Sequence, residues 1–312
     1  MKIIFLDEYS LGGIDLTPIQ QLCDYEGYEI THTAAEIIDR AKGAEVVITN
    51  KCNLAREVLT ALAPTLQLVC IAATGMNNID LEAAAELGIE VRNAVGYSTH
   101  SVAEATLAAA LTIRRQISYF DRFVKSGAYS ATDRLFCFDR PIGQLHGSRW
   151  GIVGLGAIGR EVARIATALG CEVRYYSTSG VVREESVERA ESLSELLAWC
   201  DTLSIHSPLN DQTRGLIGAT ELSTMKPNAI IVNVARGGIL DETALAAALD
   251  NGTVAAAALD VFACEPLNAD SPLLKINDPD RLLLSPHNAW ASTGSIERLV
   301  NAIAWNIKST LK

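Results

Sequence analysis

Short apolar runs alternate with helical patterns through the first hundred residues of the chain. The runs are rich in Val, Ile and Leu, and four of them are predicted to be strands: residues 2–6, 45–49, 66–71 and 89–93. The stretches between them have the spacing of helices. This alternation is typical of a parallel sheet covered by helices.

A second series of the same kind follows after a helical stretch. Its predicted strands are residues 149–153, 172–176, 202–206, 229–234 and 255–261. Residues 101–125 contain no Pro and no Gly and are predicted to form one long linking helix. Residues 292–311 have an apolar stripe at helical spacing and are predicted to form a last helix that packs on the first domain.

The predicted fold is therefore α/β, with two doubly wound parallel-sheet domains and a cleft between them. We expect a discontinuous, flavodoxin-like substrate domain of residues 1–98 plus 288–312. Residues 99–287 are expected to form a dinucleotide-binding Rossmann domain, because they contain Gly154, Gly156 and Gly159 as G-x-G-x-x-G between a β-run and a helical pattern. The length of 312 residues suits two domains better than one.

The composition of the chain argues against several classes of binding partner. The formal net charge of -11 disfavours binding to a nucleic-acid backbone. Hydrophobic residues make up 49% of the chain, yet no apolar run reaches the length of a membrane span, and the N-terminus does not resemble a signal peptide. Seven scattered cysteines without a C-x-x-C pair predict reduced, mostly buried thiols and no metal site. We expect a cytoplasmic protein.

A glycine motif lies at the start of the second series. Gly154, Gly156 and Gly159 form G-x-G-x-x-G directly after a β-run and before a helical pattern that Gly170 can end. The first glycine permits a tight turn, the second lets a pyrophosphate approach the backbone, and the third lets helix and strand touch. This order of strand, motif and helix predicts a dinucleotide site.

The second strand of this unit does not end in the acid that usually binds an adenosine ribose. Ser177, Thr178 and Ser179 stand there instead. Hydroxyl groups do not repel a 2′-phosphate, and Arg183 follows closely. Alternatively, Ser177 bonds the ribose of NAD while Arg183 stays in solvent. NAD(H) and NADP(H) are both expected as cofactors, without a preference.

Three side chains suited to ketone reduction follow later β-runs. They are Arg236, Glu265 and His287. Arginine can fork onto a carboxylate and a keto oxygen, a histidinium can donate a proton to that oxygen, and a carboxylate can orient the imidazole. Each residue alone is also compatible with a structural histidine, a surface ion pair or a cap. Together, after a nucleotide motif, they predict hydride chemistry on a small 2-keto acid.

These motifs resemble the D-isomer-specific 2-hydroxyacid dehydrogenase family over essentially the whole chain. The matching stretches are the glycine motif, residues 206–209 with Thr213, 233–238, 240–242, 258–262 with 265–266, and 286–287. Residues 49–51, 72–80, 96–99 and 288–292 resemble its glycerate dehydrogenase or hydroxypyruvate reductase branch. The family pattern has an acid at the position of Ser177, and this departure concerns cofactor preference only.

The resemblance implies roles for individual residues. Arg236 would bind substrate, His287 would be the acid/base and Glu265 its partner, with Arg236 and His287 also near the cofactor. Gly75 and Met76 would offer backbone N–H groups to the substrate carboxylate, while Lys51 either adds charge there or is a solvated loop lysine. Further cofactor contacts are implied at Thr74, Thr106, Ala157, Ile158, His206, Ser207, Pro208, Thr213, Val234, Ala235, Asp260 and Ala289.

The resemblance also implies a substrate and an assembly. Hydroxypyruvate is favoured, followed by glyoxylate or another short keto acid, and a homodimer through the second domain is expected. The alternative is an NAD(H)-sensing corepressor of the same fold that binds partner peptides.

Overall fold

The structure of this chain is a computed structural model that describes residues 1–181 and 186–311. Its strands are β1 (Lys2–Phe5), β2 (Asp24–Gly27), β3 (Val46–Thr49), β4 (Leu68–Ile71), β5 (Glu90–Asn93), β6 (Arg149–Val153), β7 (Glu172–Tyr176), β8 (Glu188–Arg189), β9 (Thr202–Ile205), β10 (Ile230–Asn233), β11 (Ala256–Leu259) and β12 (Leu282–Leu284). Its α-helices are α1 (Thr17–Gln20), α2 (Ala34–Arg40), α3 (Arg56–Leu62), α4 (Leu81–Glu86), α5 (Thr99–Arg114), α6 (Ile117–Lys125), α7 (Ala157–Ala168), α8 (Leu193–Trp199), α9 (Ala219–Thr224), α10 (Glu242–Asn251) and α11 (Thr293–Thr310). Short 3-10 helices span Glu8–Leu11, Pro272–Lys275 and Pro279–Arg281.

These elements form two compact units. Unit 1 consists of Met1–Ser98 with Ala291–Lys312, and unit 2 of Thr99–Trp290. The C-terminal helix α11 thus belongs to the same unit as the N-terminal strands. Each unit has its own parallel sheet, and the predicted fold class of two doubly wound α/β domains is confirmed.

Unit 1 contains a sheet in the order β2-β1-β3-β4-β5, with every pair parallel. This is the flavodoxin-like order. The central strands β3 and β4 are buried at every position, as expected for strands covered on both faces. The edge strand β2 was not predicted, because its sequence Asp-Tyr-Glu-Gly is polar and largely exposed.

Unit 2 contains a sheet in the order β12-β11-β10-β9-β6-β7-β8, again parallel throughout. Reading from β6, this is the Rossmann order in which the strand sequence reverses between β6 and β9. Ile230 and Val232 belong to one apolar core and Ile231 to another, so helices cover both faces of the sheet. The two-residue edge strand β8 was not predicted.

The prediction of one continuous helix over residues 101–125 is wrong. Gln116 has a left-handed backbone, φ 55°, and separates α5 from α6. The carbonyl of Arg114 accepts a hydrogen bond of 2.9 Å from the N–H of Gly143, a residue far along the chain. This tertiary bond occupies a carbonyl at the end of α5, and it has no signature in the local sequence.

Three further expectations concern cysteines, membrane spans and metal sites. All seven cysteines are free thiols, and Cys52, Cys70, Cys171 and Cys200 are buried while Cys264 is exposed. Within residues 1–181 and 186–311, no helix is long and apolar enough to cross a membrane. Over the same residues, no group of three or more His, Cys, Asp or Glu is placed to hold a metal ion.

Candidate active site

The glycine motif forms a tight connection between β6 and α7. Gly154 has φ 93°, and a Cβ there would lie 2.9 Å from the backbone nitrogen of Ser207. A Cβ on Gly159 would lie 2.3 Å from the carbonyl oxygen of Gly154. Both glycines are therefore required by close backbone approach. Gly170, at φ 84°, follows the last residues of α7 as expected.

Gly156 has a different environment. It is the N-cap of α7, it provides no side chain to cap the helix, and a Cβ there would meet nothing within 4 Å. Ala157 and Ile158 follow it in the first turn of this twelve-residue helix. The free N–H groups and the positive end of the helix dipole thus face open space, which is the arrangement that binds a pyrophosphate.

A cavity of about 190 Å³ adjoins this turn. It is lined by eight residues that the sequence or the family resemblance assigned to the cofactor: Gly154, Gly156, Ser177, Thr178, Ser179, His206, Ser207 and Pro208. Five lining residues were not predicted: Leu155, Tyr175, Val181, Asn210 and Gln212. Asn210 and Gln212 stand in the turn after Pro208, which Thr213 closes by donating to the Pro208 carbonyl at 2.6 Å.

Polar atoms in the wall of this cavity lack partners within the described chain. They are the hydroxyl oxygens of Tyr175 and Ser207 and both ring nitrogens of His206, all shielded from solvent. Burial lowers the pKa of His206 to about 3, so this imidazole is neutral at physiological pH. A buried polar group without a partner is costly. A glycine turn with open space above it, beside unpaired polar groups, fits a dinucleotide.

The loop after β7 forms the far side of the cavity. The Ser177 hydroxyl donates to the carbonyl of Val181 at 3.0 Å and lies 3.4 Å from the Ser179 hydroxyl. Among the described residues that line the cavity, none is Asp or Glu. The predicted contact of Arg183 lies outside the described residues.

Arg236, Glu265 and His287 follow the carboxyl ends of three adjacent parallel strands. These strands are β10, β11 and β12, which are neighbours in the sheet. His287 Nδ1 lies 2.7 Å from Glu265 Oε2, and the two side chains are 25% and 32% exposed. The imidazole is therefore oriented by the carboxylate while its other nitrogen stays available.

A buried carboxylate fixes the backbone that carries His287. Asp260 is 4% exposed and accepts hydrogen bonds from the N–H groups of Asn288, at 3.0 Å, and Ala289, at 2.9 Å, and from the Ser285 hydroxyl. His287 itself has a left-handed backbone, φ 52°. The family resemblance implied a cofactor contact for Asp260, and its position in this structure adds a role in holding the histidine loop.

The Arg236 loop is built on buried Asn233. The Asn233 side chain accepts from the N–H of Ala235 at 3.1 Å and donates to the carbonyl of Arg236 at 3.0 Å. A Cβ on Gly237 would lie 1.8 Å from the carbonyl oxygen of Phe262. The Arg236 loop and the segment leading to Glu265 are thus in backbone contact. The guanidinium Nη1 donates to the Ala235 carbonyl at 2.7 Å.

Unit 1 holds the other residues assigned to substrate. Lys51 is exposed in the turn after β3, while Gly75 and Met76 are half-buried in the loop after β4. Because β3 and β4 are parallel neighbours, these two segments leave the same edge of the sheet. Thr74 donates to the carbonyl of Ala94 at 2.9 Å.

Three further residues assigned to the cofactor, Thr106, Val234 and Ala289, belong to unit 2. Thr106 is fully buried in α5, and its hydroxyl donates to the Val102 carbonyl of the same helix at 2.7 Å. Ala289 is buried, and its carbonyl accepts from the Ser101 hydroxyl at 2.7 Å. Val234 lies half-buried directly after β10.

Comparison with known proteins relates the chain to one group of enzymes. The model of the NAD binding domain of D-isomer specific 2-hydroxyacid dehydrogenases matches residues 107–289. The chain is 35% identical to a glycerate dehydrogenase of Methylorubrum extorquens, over 99% of this chain and 95% of that protein. It is 34% identical to a hydroxypyruvate reductase of Blautia hydrogenotrophica, over 100% and 97%. A solved NADPH-dependent glyoxylate/hydroxypyruvate reductase of Sinorhizobium meliloti, in complex with NADP and malonate, has a TM-score of 0.83 and 26% identity over 99% of this chain and 92% of that one.

Proposed function

Because the chain belongs to the D-isomer-specific 2-hydroxyacid dehydrogenase family, we propose that it reduces a short 2-keto acid to a D-2-hydroxy acid and catalyses the reverse reaction. Hydroxypyruvate and glyoxylate are the proposed substrates. The names of the relatives support this choice. The single observation that carries the chemistry is the 2.7 Å pair of His287 and Glu265 beside the Arg236 loop.

His287 is the proposed proton donor. Nδ1 faces Glu265 Oε2, so the proton that moves is the one on Nε2. In the reducing direction Nε2–H donates to the keto oxygen as negative charge develops there, and in the oxidising direction neutral Nε2 accepts the hydroxyl proton. The carboxylate of Glu265 stabilises the charged imidazole and holds its ring plane.

Arg236 is the proposed substrate clamp. A guanidinium can bind the substrate carboxylate and keto oxygen at once, which fixes the carbonyl carbon in one orientation. Lys51 and the N–H groups of Gly75 and Met76 are proposed to add a second set of donors for the carboxylate.

The proposed cofactor is NAD(H) or NADP(H), which supplies or accepts the hydride when it is bound. The N-terminus of α7 would hold its pyrophosphate. Ser177, Thr178 and Ser179 would face its adenosine ribose, and the buried groups of His206 and Ser207 lie beside the same cavity.

The test is an assay of hydroxypyruvate, glyoxylate and pyruvate with each reduced cofactor. The reaction is monitored through the loss of absorbance of the reduced cofactor. The wild-type chain should turn over at least one pair, and His287→Ala should lower kcat by about 10² or more. His146→Ala, at an exposed histidine of the same unit, is the matched control and should keep the wild-type kcat. If no pair is turned over, a cofactor-sensing role is favoured and the enzymatic proposal is wrong.

We also propose that the protein is a cytoplasmic homodimer. Seven free thiols suit a reducing compartment. The dimer is supported by an exposed surface formed by residues 117–142, which we call the arm. The arm contains α6, and no residue of α6 is buried. Six large apolar side chains of the arm are exposed: Ile117, Val124, Leu135, Phe136, Phe138 and Ile142. Apolar patches of this kind are typical of interfaces.

A further inference from the structure

A buried carboxylate lies under the turn that carries Lys51. We call residues 49–52 the Lys51 turn. Asp7, two residues beyond the end of β1, is 2% exposed, and its carboxylate accepts from the N–H groups of Asn50 at 2.9 Å and Lys51 at 2.6 Å. The Thr49 hydroxyl donates to the same carboxylate at 3.2 Å. Asp7 thus fixes two successive peptide groups of the turn.

These bonds also explain how a carboxylate is tolerated there. Burial raises the pKa of Asp7, while the hydrogen bonds from Asn50 and Lys51 oppose that shift. A buried charged group is costly unless its oxygens are bonded. All of these hydrogen-bond donors belong to one short turn. Any movement of that turn would leave the buried carboxylate without partners, and the turn is therefore held in one geometry.

The Lys51 turn is joined from its other side to the loop that carries Gly75 and Met76. The Asn78 side-chain nitrogen donates to the carbonyl of Cys52 at 2.8 Å and lies 3.4 Å from the carbonyl of Asn50. The Asn78 carbonyl accepts from the N–H of Leu54 at 2.8 Å. Asn78 therefore binds the Lys51 turn through its side chain, and through its backbone it binds Leu54, two residues beyond that turn.

We propose that Asp7 and Asn78 are positioning residues, which hold the Lys51 turn against the 75–76 loop as one preassembled site for the substrate carboxylate. Neither residue touches the reacting atoms in this proposal. Lysine has a flexible side chain, and a fixed backbone reduces the freedom that it loses on binding. The inference rests on the proposed function, because it takes Lys51 and the 75–76 loop as substrate donors.

The first test is Asn78→Ala in the full-length chain. It removes the amide link, and we expect KM for the keto acid to rise about tenfold while kcat changes less than about twofold. The dissociation constant of NADH or NADPH should not change. Asn53→Ala, at an exposed amide next to the turn, is the matched control and should keep the wild-type KM.

A double-variant cycle separates positioning from general stability. If Asn78 acts through Lys51, the variant Lys51→Ala/Asn78→Ala should have a KM no higher than that of the worse single variant. Asp7→Asn keeps the shape of the side chain but turns an N–H donor toward the turn, and it should raise KM in the same way. A lower Tm with an unchanged KM in Asn78→Ala, or additive effects in the double variant, would overturn the inference.

Calorimetric titration with oxalate, with and without cofactor, gives a readout that needs no turnover. Oxalate should bind the wild-type chain and bind Asn78→Ala about tenfold more weakly. Equal binding by both proteins, or no binding by the wild type, would contradict the positioning role. An inactive wild-type chain that still shows the tenfold difference would contradict the proposed function and leave the positioning role supported.

Discussion

The backbone of His287 is held in a conformation that an L-residue rarely adopts. Its φ of 52° costs about 1–2 kcal/mol relative to a right-handed conformation. The carboxylate of Asp260 binds the next two N–H groups, and Glu265 holds the ring. Strain of this kind persists where surrounding contacts determine it, and here those contacts aim an imidazole.

We expect cofactor preference to depend on the residue at position 177. Ser177→Asp places a carboxylate at the end of β7, where it can bond a ribose diol and repel a 2′-phosphate. We expect the ratio of kcat/KM for NADH over NADPH to rise at least about tenfold, measured with one keto acid. Ser177→Asn adds a similar volume without charge and is the control. An equal response to both cofactors in the Asp variant would show that Ser177 does not face the ribose.

The neutral His206 makes stability depend on pH. Its pKa falls from the ordinary 6.5 to about 3 in the folded chain, so between these values the unfolded chain binds a proton that the folded chain does not. The free energy of unfolding therefore decreases as pH falls from about 6.5 toward 3. His206 contributes a slope of up to about 1.4 kcal/mol per pH unit to this decrease.

The test compares wild type with His206→Gln, which cannot titrate, by the Tm of the cofactor-free proteins at pH 7 and pH 5. The Tm of wild type should fall more than that of the variant over this interval. Parallel decreases in the two proteins would refute the assignment of the pH dependence to His206.

At the scale of elements, the site depends on loops that follow adjacent strands. The segments after β10 and β11 meet where Gly237 contacts the backbone of Phe262 and Ala263. Position in the sheet brings the loops to one edge, and the absence of a side chain at Gly237 lets them touch. The geometry of Arg236 relative to Glu265 is thus set by backbone packing.

Gly237→Ala should disturb that packing. The added Cβ would lie 1.8 Å from the Phe262 oxygen and 2.4 Å from the Ala263 nitrogen, so the two loops must separate. We expect the free energy of unfolding to fall by about 1–3 kcal/mol and kcat/KM for the keto acid to fall by at least about tenfold. Gly218→Ala, at the N-cap of α9, would place its Cβ at only an ordinary 3.5 Å contact and should leave kcat/KM unchanged. Wild-type kinetics in Gly237→Ala would show that the loop contact is not needed.

At the scale of the whole molecule, the arm departs from an ordinary surface because it exposes several large apolar side chains. Phe138 is 81% exposed and contacts Phe136, with the ring centroids 6.2 Å apart. Arg140 attaches the arm to its own unit through a 2.7 Å ion pair with Asp278, and it also contacts the Tyr119 ring within the arm. An apolar surface presented on such an anchored segment suits association with a second copy.

The double variant Phe136→Asp/Phe138→Asp should convert the proposed dimer to monomers, because charge on an apolar interface must be desolvated. Sedimentation velocity should show one species of half the wild-type mass. Leu274→Asp places the same charge at an exposed apolar residue of unit 2 outside the arm and should leave the mass unchanged. A wild-type chain that sediments as a monomer would refute the proposed dimer.

Local patterns were sufficient to predict the α/β class, the central strands and the glycine turn. Apolar runs such as β3 and β10 are buried on both faces, so their sequence alone identifies them. The same holds for Gly154 and Gly159, because only glycine tolerates that backbone approach. The side chains after β10, β11 and β12 could be predicted as one group, since parallel strands end at a common edge.

Tertiary contacts decided what these patterns could not. The break at Gln116 accompanies the return of Gly143 to the end of α5, and the polar edge strand β2 exists because β1 offers it hydrogen bonds. Tyr175, Asn78 and Asp7 look like ordinary strand and loop residues in the sequence. Their roles arise from partners distant along the chain, and local periodicity contains no information about such partners.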